Sequence, residues 1–291
     1  MEIELIKNII CDKIKEKKEL NSLDNDFVKS QLNNFLLKNK INLEKLFSKY
    51  NDPKKFQKSS YFKEIISGVR SNLREIYGVF IKKSLSEFNK KILSINSFED
   101  EVILNILKSH QSSNERLQHY SNLYEEIFNI LFDLGLSKKY SVLDLACGFN
   151  PFAYNFFKVK PQFYFASDLS QEDMSLVNLF FKKLKISGEA KALDLLNPES
   201  INFLNNQQKF DVCFLFKALD SLETKQRHSS KNLISSLNCK YFVVSFPKLT
   251  IGGKKSISES KRTWFEKFCI KEFKKFEKFE LPNEVLYIFS K

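Results

Sequence analysis

The stretch from Ser141 to Ala153, SVLDLACGFNPFA, leaves the chain few ways to fold. Val142 to Leu145 read as a buried strand that runs directly into a turn holding Cys147 and Gly148. A helix is expected after Pro151, because proline in the first helical turn sacrifices no hydrogen bond. Strand, glycine turn and helix start together open a βαβ unit that can receive a nucleotide-like ligand. One glycine is a weak signal by itself. Its weight comes from the regular alternation around it.

After Ser97-Phe98-Glu99-Asp100, strands fit 142–146, 163–167, 190–193, 211–216, 241–246 and 285–289. Helical patterns fit 171–184, 198–205, 219–237 and 258–275 between them. This alternation indicates a mostly parallel sheet covered on both faces. The last segment, 276–290, reads as a terminal antiparallel pair, which brings the sheet to seven strands.

Residues 1 to about 100 read as an all-helical domain, with 101–291 as the α/β domain. Ile3, Ile6, Ile10 and Ile14 recur at helical spacing, as do Phe27, Val28, Leu32, Phe35 and Leu36. Asp52-Pro53 interrupts the pattern, and an amphipathic segment follows from about Ser59 to Lys83. The net charge is +12, and its distribution matters more than its size. From Asn51 to Ile95 ten Lys/Arg face four acids, whereas residues 1–50 hold ten against eight. A basic excess concentrated in half of one domain is the footprint of a polyanionic partner; a solvated lysine-rich face is the competing reading. Lys54, Lys55, Lys58, Arg70 and Arg74 are the candidate phosphate contacts there. Lys248, Lys254 and Lys255, with Lys261 and Arg262, form a second basic group after the fifth strand.

No apolar run approaches the roughly 20 residues of a membrane span, and the N-terminus is amphipathic rather than signal-like. The five cysteines have no CxxC spacing and accompany only three histidines. No metal site and no disulfide framework is expected, and reduced thiols suggest a cytoplasmic setting.

Asp168 ends the second strand, where an acid can accept hydrogen bonds from a ribose diol. The third ends in Asp194-Leu195, a carboxylate for an exocyclic amine and an apolar side chain for an adenine ring. Dehydrogenases share this layout but need G-x-G-x-x-G to admit a pyrophosphate. Here Asn150-Pro151 fills the later positions, so a phosphate-free ligand such as S-adenosylmethionine fits better. Its methionine end needs a polar hook. The segment His110 to Leu117 could supply it, although a plain helix N-terminus with Arg116 as a surface charge explains the same residues.

Four motifs occur in one order: HxSSxER at 110–116, DLACGFNP at 144–151, KxLxxLE at 217–223, and VVSFP at 243–247 followed by GGK at 252–254. In this combination the chain resembles the aminoglycoside-resistance 16S rRNA methyltransferases, which methylate N7 of a guanine in the decoding-site helix of the 30S subunit. The resemblance implies a class I S-adenosylmethionine-dependent methyltransferase, Rossmann-like, with its helical extension docking on the ribosome. It implies that Arg116 binds the methionine carboxylate, that Ala146 and Gly148 line the cofactor, and that Asp168 holds the ribose. Asp194, Leu195 and Phe216 would surround the adenine, with Gln226 nearby; His110, Ser112 and Leu169 complete the expected cofactor set. Guanine N7 carries a lone pair and no proton, so no catalytic base is expected, and Cys147 is read as part of the cofactor turn. A methyltransferase acting on another RNA, and a non-catalytic ribosome-assembly factor retaining the fold, are the alternatives. A cofactor titration separates the second.

Overall fold

The computed structural model describes residues 2–17, 20–21, 23–76, 85–249, 256–273 and 276–291. The chain divides into two compact units, Met1–Ile81 with Leu169–Glu172, and Lys82–Asp168 with Asp173–Lys291. The composition change near residue 100 falls inside the second unit. Phe88, Ile92 and Ile95 share a core there with Ile103, Ile106 and Leu107.

The first unit is built of helices Glu2–Lys15, Asn25–Lys38, Leu43–Phe47, Pro53–Gln57 and Ser60–Ile76. The periodic residues are its core: Ile6, Ile10 and Ile14, Val28, Leu32 and Leu36, and Phe62, Val69 and Leu73 are buried together. Asp52-Pro53 starts a helix as well as ending a pattern. Asp52 Oδ1 accepts from Lys54 N at 2.7 Å, and proline occupies the first turn where its missing N–H costs nothing. Gly68 admits Phe35 against its helix, since a Cβ there would lie 2.3 Å from the ring. Phe56 is fully buried between Phe47 and Phe62, with ring centroids 5.8 and 5.5 Å away.

Among the described residues of the second unit, seven strands form one sheet: β1 (Ser141–Leu145), β2 (Phe163–Asp168), β3 (Gly188–Ala192), β4 (Phe210–Phe216), β5 (Cys239–Pro247), β6 (Phe276–Leu281) and β7 (Glu284–Ser290). Their order is β3-β2-β1-β4-β5-β7-β6; β1 to β5 are parallel, and β7 runs antiparallel to both neighbours. The strand order reverses between β1 and β4, which places the ligand crevice of such a sheet at their carboxyl ends. Alternate residues serve opposite cores. Val142, Tyr164, Phe214 and Val243 pack on one side; Leu143, Phe165, Cys213 and Val244 pack on the other.

Two expected helices differ in the structure. The segment 219–237 forms Leu219–Lys225 and Ser229–Ser236, separated at His228, whose φ is +67°. Glu223 explains the break: its carboxylate accepts from His228 N at 2.8 Å and Ser230 N at 3.0 Å, capping the second helix. After Pro151 the chain takes a 3-10 helix, Asn150–Phe156, instead of an α-helix. Lys160 binds the carbonyls that this tighter winding leaves, Tyr154 at 3.0 Å, Asn155 at 2.8 Å and Phe157 at 2.6 Å.

Phe56→Ala is expected to destabilise the protein by about 3–5 kcal/mol, the usual cost of emptying a buried aromatic site. Urea unfolding checks it; a loss below about 1 kcal/mol would mean that the cluster closes over the gap.

Candidate active site

The site grows from the turn after β1. Ala146 and Gly148 both take positive φ, +51° and +50°. The turn is held by two hydrogen bonds from β2: Cys147 N donates to Ser167 O at 2.9 Å, and Gly148 N donates to Asp168 Oδ2 at 2.8 Å. Gly148 is required twice. Its backbone lies where side chains are strained, and a Cβ would stand 2.7 Å from the imidazole of His110. Burial, then the neighbouring Arg116 charge, lowers the His110 pKa from 6.5 to about 3, so this ring packs against the turn as a neutral group.

Beneath the turn lies a buried polar knot. Asp144 Oδ2 accepts from Asn150 Nδ2 at 2.8 Å and Tyr164 OH at 2.5 Å, and Tyr124 OH donates to Asn150 Oδ1 at 2.9 Å. Burial pushes the Asp144 carboxyl up to about 6 despite these donors. Burial raises the Cys147 thiol far above the ordinary range, and Sγ faces Gly148 O at 3.4 Å.

The His110 segment is a short helix, Gln111–Arg116, with His110 rather than Ser112 or Ser113 at its N-cap position. Arg116 is not a surface charge, however. It is 4% exposed, and its guanidinium donates from Nε to Glu284 Oε2 at 2.8 Å and from Nη2 to Glu284 Oε1 at 2.7 Å. The ring of Phe216, expected at the adenine, lies 4.7 Å from Cζ and supports the guanidinium. Lys217 Nζ binds Glu115 Oε2 at 2.7 Å and lies 3.6 Å from Glu284 Oε2. Sequence reasoning did not foresee the cluster that Glu284 and Lys217 form with Arg116 and Glu115. The signal was topological: an antiparallel last strand begins at the end of the sheet where the parallel strands finish.

Asp168 and Asp194 are both half-buried at the carboxyl ends of β2 and β3. Asp194 Oδ1 accepts from Leu196 N at 2.9 Å, while burial raises its carboxyl. Leu195 is buried, Ser112 half-buried, and Gln226 exposed at the end of its helix. Leu169, expected to line the cofactor, packs half-buried on the core of the helical unit.

Of the basic residues, Lys54, Lys55, Lys58 and Arg74 are exposed. Arg70 is spent otherwise: its guanidinium binds the carbonyls of Ile14, at 3.3 Å, and Lys13, closing the C-terminus of the first helix. Lys248 pairs with Glu280 at 2.8 Å, and Arg262 is buried, 4% exposed, with Nη1 3.5 Å from Pro247 O. Lys254 and Lys255, with Gly252 and Gly253, lie outside the described residues, as do Lys82 and Lys83.

This crevice has a counterpart among known proteins. A family model described as ribosomal RNA methyltransferase (FmrO) matches residues 95–288. The chain belongs to that family.

Among relatives of this rRNA methyltransferase, the 16S rRNA (guanine(1405)-N(7))-methyltransferase of Micromonospora rosea is 26% identical over 238 residues, covering 78% of this chain and 83% of the relative. The protein of the same name from Proteus mirabilis is 25% identical over 248 residues, covering 79% and 85%. The fold matches that of 16S rRNA methyltransferase RmtF, crystallised with S-adenosyl-L-homocysteine, with a TM-score of 0.71 over 98% of both chains at 21% identity. The 16S rRNA methylase ArmA matches with a TM-score of 0.55 at 27% identity, over 72% of this chain and 98% of that one. The protein is therefore an S-adenosyl-L-methionine-dependent methyltransferase, and its residues suit that cofactor. A turn with two residues at positive φ, an acid at the tip of β2 and the arginine of the 111–116 helix suit a ligand with an amino-acid end and no phosphate.

His110 makes stability depend on pH. In the unfolded chain it protonates near 6.5, in the folded one only near 3, so between these values the unfolded state binds the extra proton and gains as pH falls. His110→Asn removes this term. Urea unfolding at pH 7 and pH 5 is expected to show the variant gaining on the wild type at the lower pH; an unchanged difference would place His110 in a solvated setting.

Proposed function

We propose that this rRNA methyltransferase methylates N7 of a guanine in the decoding-site helix of 16S rRNA within the assembled 30S subunit, conferring aminoglycoside resistance. The observation that carries this reading is alignment over more than three quarters of the chain with enzymes named for guanine 1405 N7. The ordered set Arg116, Gly148, Asp168 and Asp194 at one end of the sheet supports it.

S-adenosylmethionine supplies an electrophilic methyl on a sulfonium. Arg116 holds the methionine carboxylate through the N–H bonds that Glu284 leaves over. Asp168 accepts from the ribose hydroxyls while keeping its bond to Gly148 N, and so couples ribose binding to the shape of the turn. Asp194 and Leu195 serve the adenine. N7 needs no deprotonation, so the chain supplies no base; it holds the two reactants in line and excludes water. The guanine must leave its stack to reach the crevice, which calls for local distortion or flipping of the RNA. Lys54, Lys55, Lys58 and Arg74 are assigned to rRNA phosphates.

Mapping methylated bases in 16S rRNA from cells expressing the chain is expected to show 7-methylguanine at 1405, where the relatives act. A methylated base elsewhere would replace the target and leave the enzyme class intact. Assembled 30S subunits are expected to be methylated and naked 16S rRNA hardly at all; equal activity on short hairpins would remove the docking requirement.

Asp168→Ala is expected to weaken cofactor binding by about 1–3 kcal/mol, the cost of losing a charged acceptor. Calorimetry showing unchanged affinity would take Asp168 out of the site. Replacing Lys54 and Lys58 by Glu is expected to weaken 30S binding and flatten its salt dependence by about one log–log unit per lost phosphate contact. Cofactor affinity should be unaffected. Wild-type affinity and slope would make these lysines a solvated helix face.

A further inference from the structure

Arg116 and Glu284 stand 168 residues apart and are almost fully withdrawn from water, 4% and 2% exposed. The topology brings them together. β7 is antiparallel to β5, and its first residue, Glu284, pairs in register with Pro247, the last residue of β5. The carboxylate therefore arrives at the crevice end of the sheet. Burial opposes its charge, but the guanidinium more than compensates and holds Glu284 below the usual carboxylate range.

The contact is a fork on a fork, with Nε and Nη2 each donating to a different carboxylate oxygen. A guanidinium has five N–H bonds in one plane. With two taken by Glu284 and the Phe216 ring 4.7 Å from Cζ, its orientation is determined from the edge and from the face. The two N–H bonds of Nη1 and the outer one of Nη2 then form a second fork, shaped for another carboxylate. Lys217 backs the arrangement. It leaves β4 with φ +56°, its N–H donates to Ser245 Oγ at 3.0 Å, and its ammonium lies between Glu115 and Glu284. Two cations and two anions make the cluster neutral overall, as is the zwitterionic end of an amino acid.

A buried ion pair often contributes little to stability, because desolvation offsets attraction. Its value here lies in direction. We propose that Glu284, seconded by Lys217, is a positioning residue: it turns Arg116 so that the outer fork meets the amino-acid carboxylate of the cofactor, and thereby makes the site selective for ligands that carry that group. This rests on the reading that Arg116 grips the carboxylate.

Two ligands test it by calorimetry on the full chain: S-adenosylhomocysteine, which has the amino-acid end, and 5′-methylthioadenosine, which lacks it. Glu284→Gln keeps the shape but turns an amide NH₂ toward the guanidinium. It is expected to lose at least tenfold in affinity for S-adenosylhomocysteine and less than twofold for 5′-methylthioadenosine. Lys217→Gln leaves the fork intact and serves should the first variant not fold; it is expected to lose about two- to fivefold for S-adenosylhomocysteine alone. Equal losses for both ligands would reduce the cluster to a structural role and overturn the proposal, as would wild-type affinities. Arg116→Gln separates the two levels of inference. If it retains the preference for S-adenosylhomocysteine, the carboxylate reading itself fails; if it abolishes the preference while the Glu284 and Lys217 variants keep it, only the positioning role fails.

Discussion

A single carboxylate under the cofactor turn organises the α/β unit. Asp144 sits on the middle of the sheet, fully buried, and collects Tyr164 from the neighbouring strand and Asn150 from the turn. Asn150 in turn receives Tyr124 from helix Tyr120–Asp133. Burying this acid is unfavourable, as its raised pKa records. What it secures is one geometry: strand, turn and covering helix meet at a single group and cannot slide independently. The aromatic side chains around it, Tyr124, Phe157, Tyr164 and Phe214, fill the space with rings 4.2 to 6.2 Å apart and keep water out.

Much of the fold was legible because its signals are local. Apolar runs at even spacing marked the strands; Asp168 ends β2, and Asp194 lies two residues beyond the end of β3. Local signals also misled. Across 219–237 the apolar residues sit at the two ends, the run from Glu223 to Asn232 holds none, and Glu223 reaching His228 and Ser230 divides the segment there. Arg70 lies in a basic stretch, yet its guanidinium serves a helix end 56 residues earlier. Glu284 was invisible for the same reason in stronger form. Nothing within ten residues of it marks a site, and its partner lies on the far side of the chain's midpoint. Residues whose role depends on contacts across the sheet need the sheet order first.

The two basic groups that looked alike in sequence differ physically. Lys54, Lys55 and Lys58 project from a short capped helix anchored by Phe56, with their charges in solvent. Lys248 is paired with Glu280 at the surface, and Arg262 is buried beside a backbone carbonyl. Charge that is already paired offers a polyanion less than a count of lysines suggests, because an existing partner must be displaced first.

The place of β7 has a temporal consequence. Glu284 belongs to the final eight residues of the chain, whereas Arg116, the Gly148 turn and Asp168 are made far earlier. The β5 edge that β7 covers likewise waits for β7. During synthesis the polypeptide therefore carries an arginine without its carboxylate and a sheet with an open border. The ion pair closes only once β7 has been made and has joined β5, so the arginine is the part of the crevice that is oriented last.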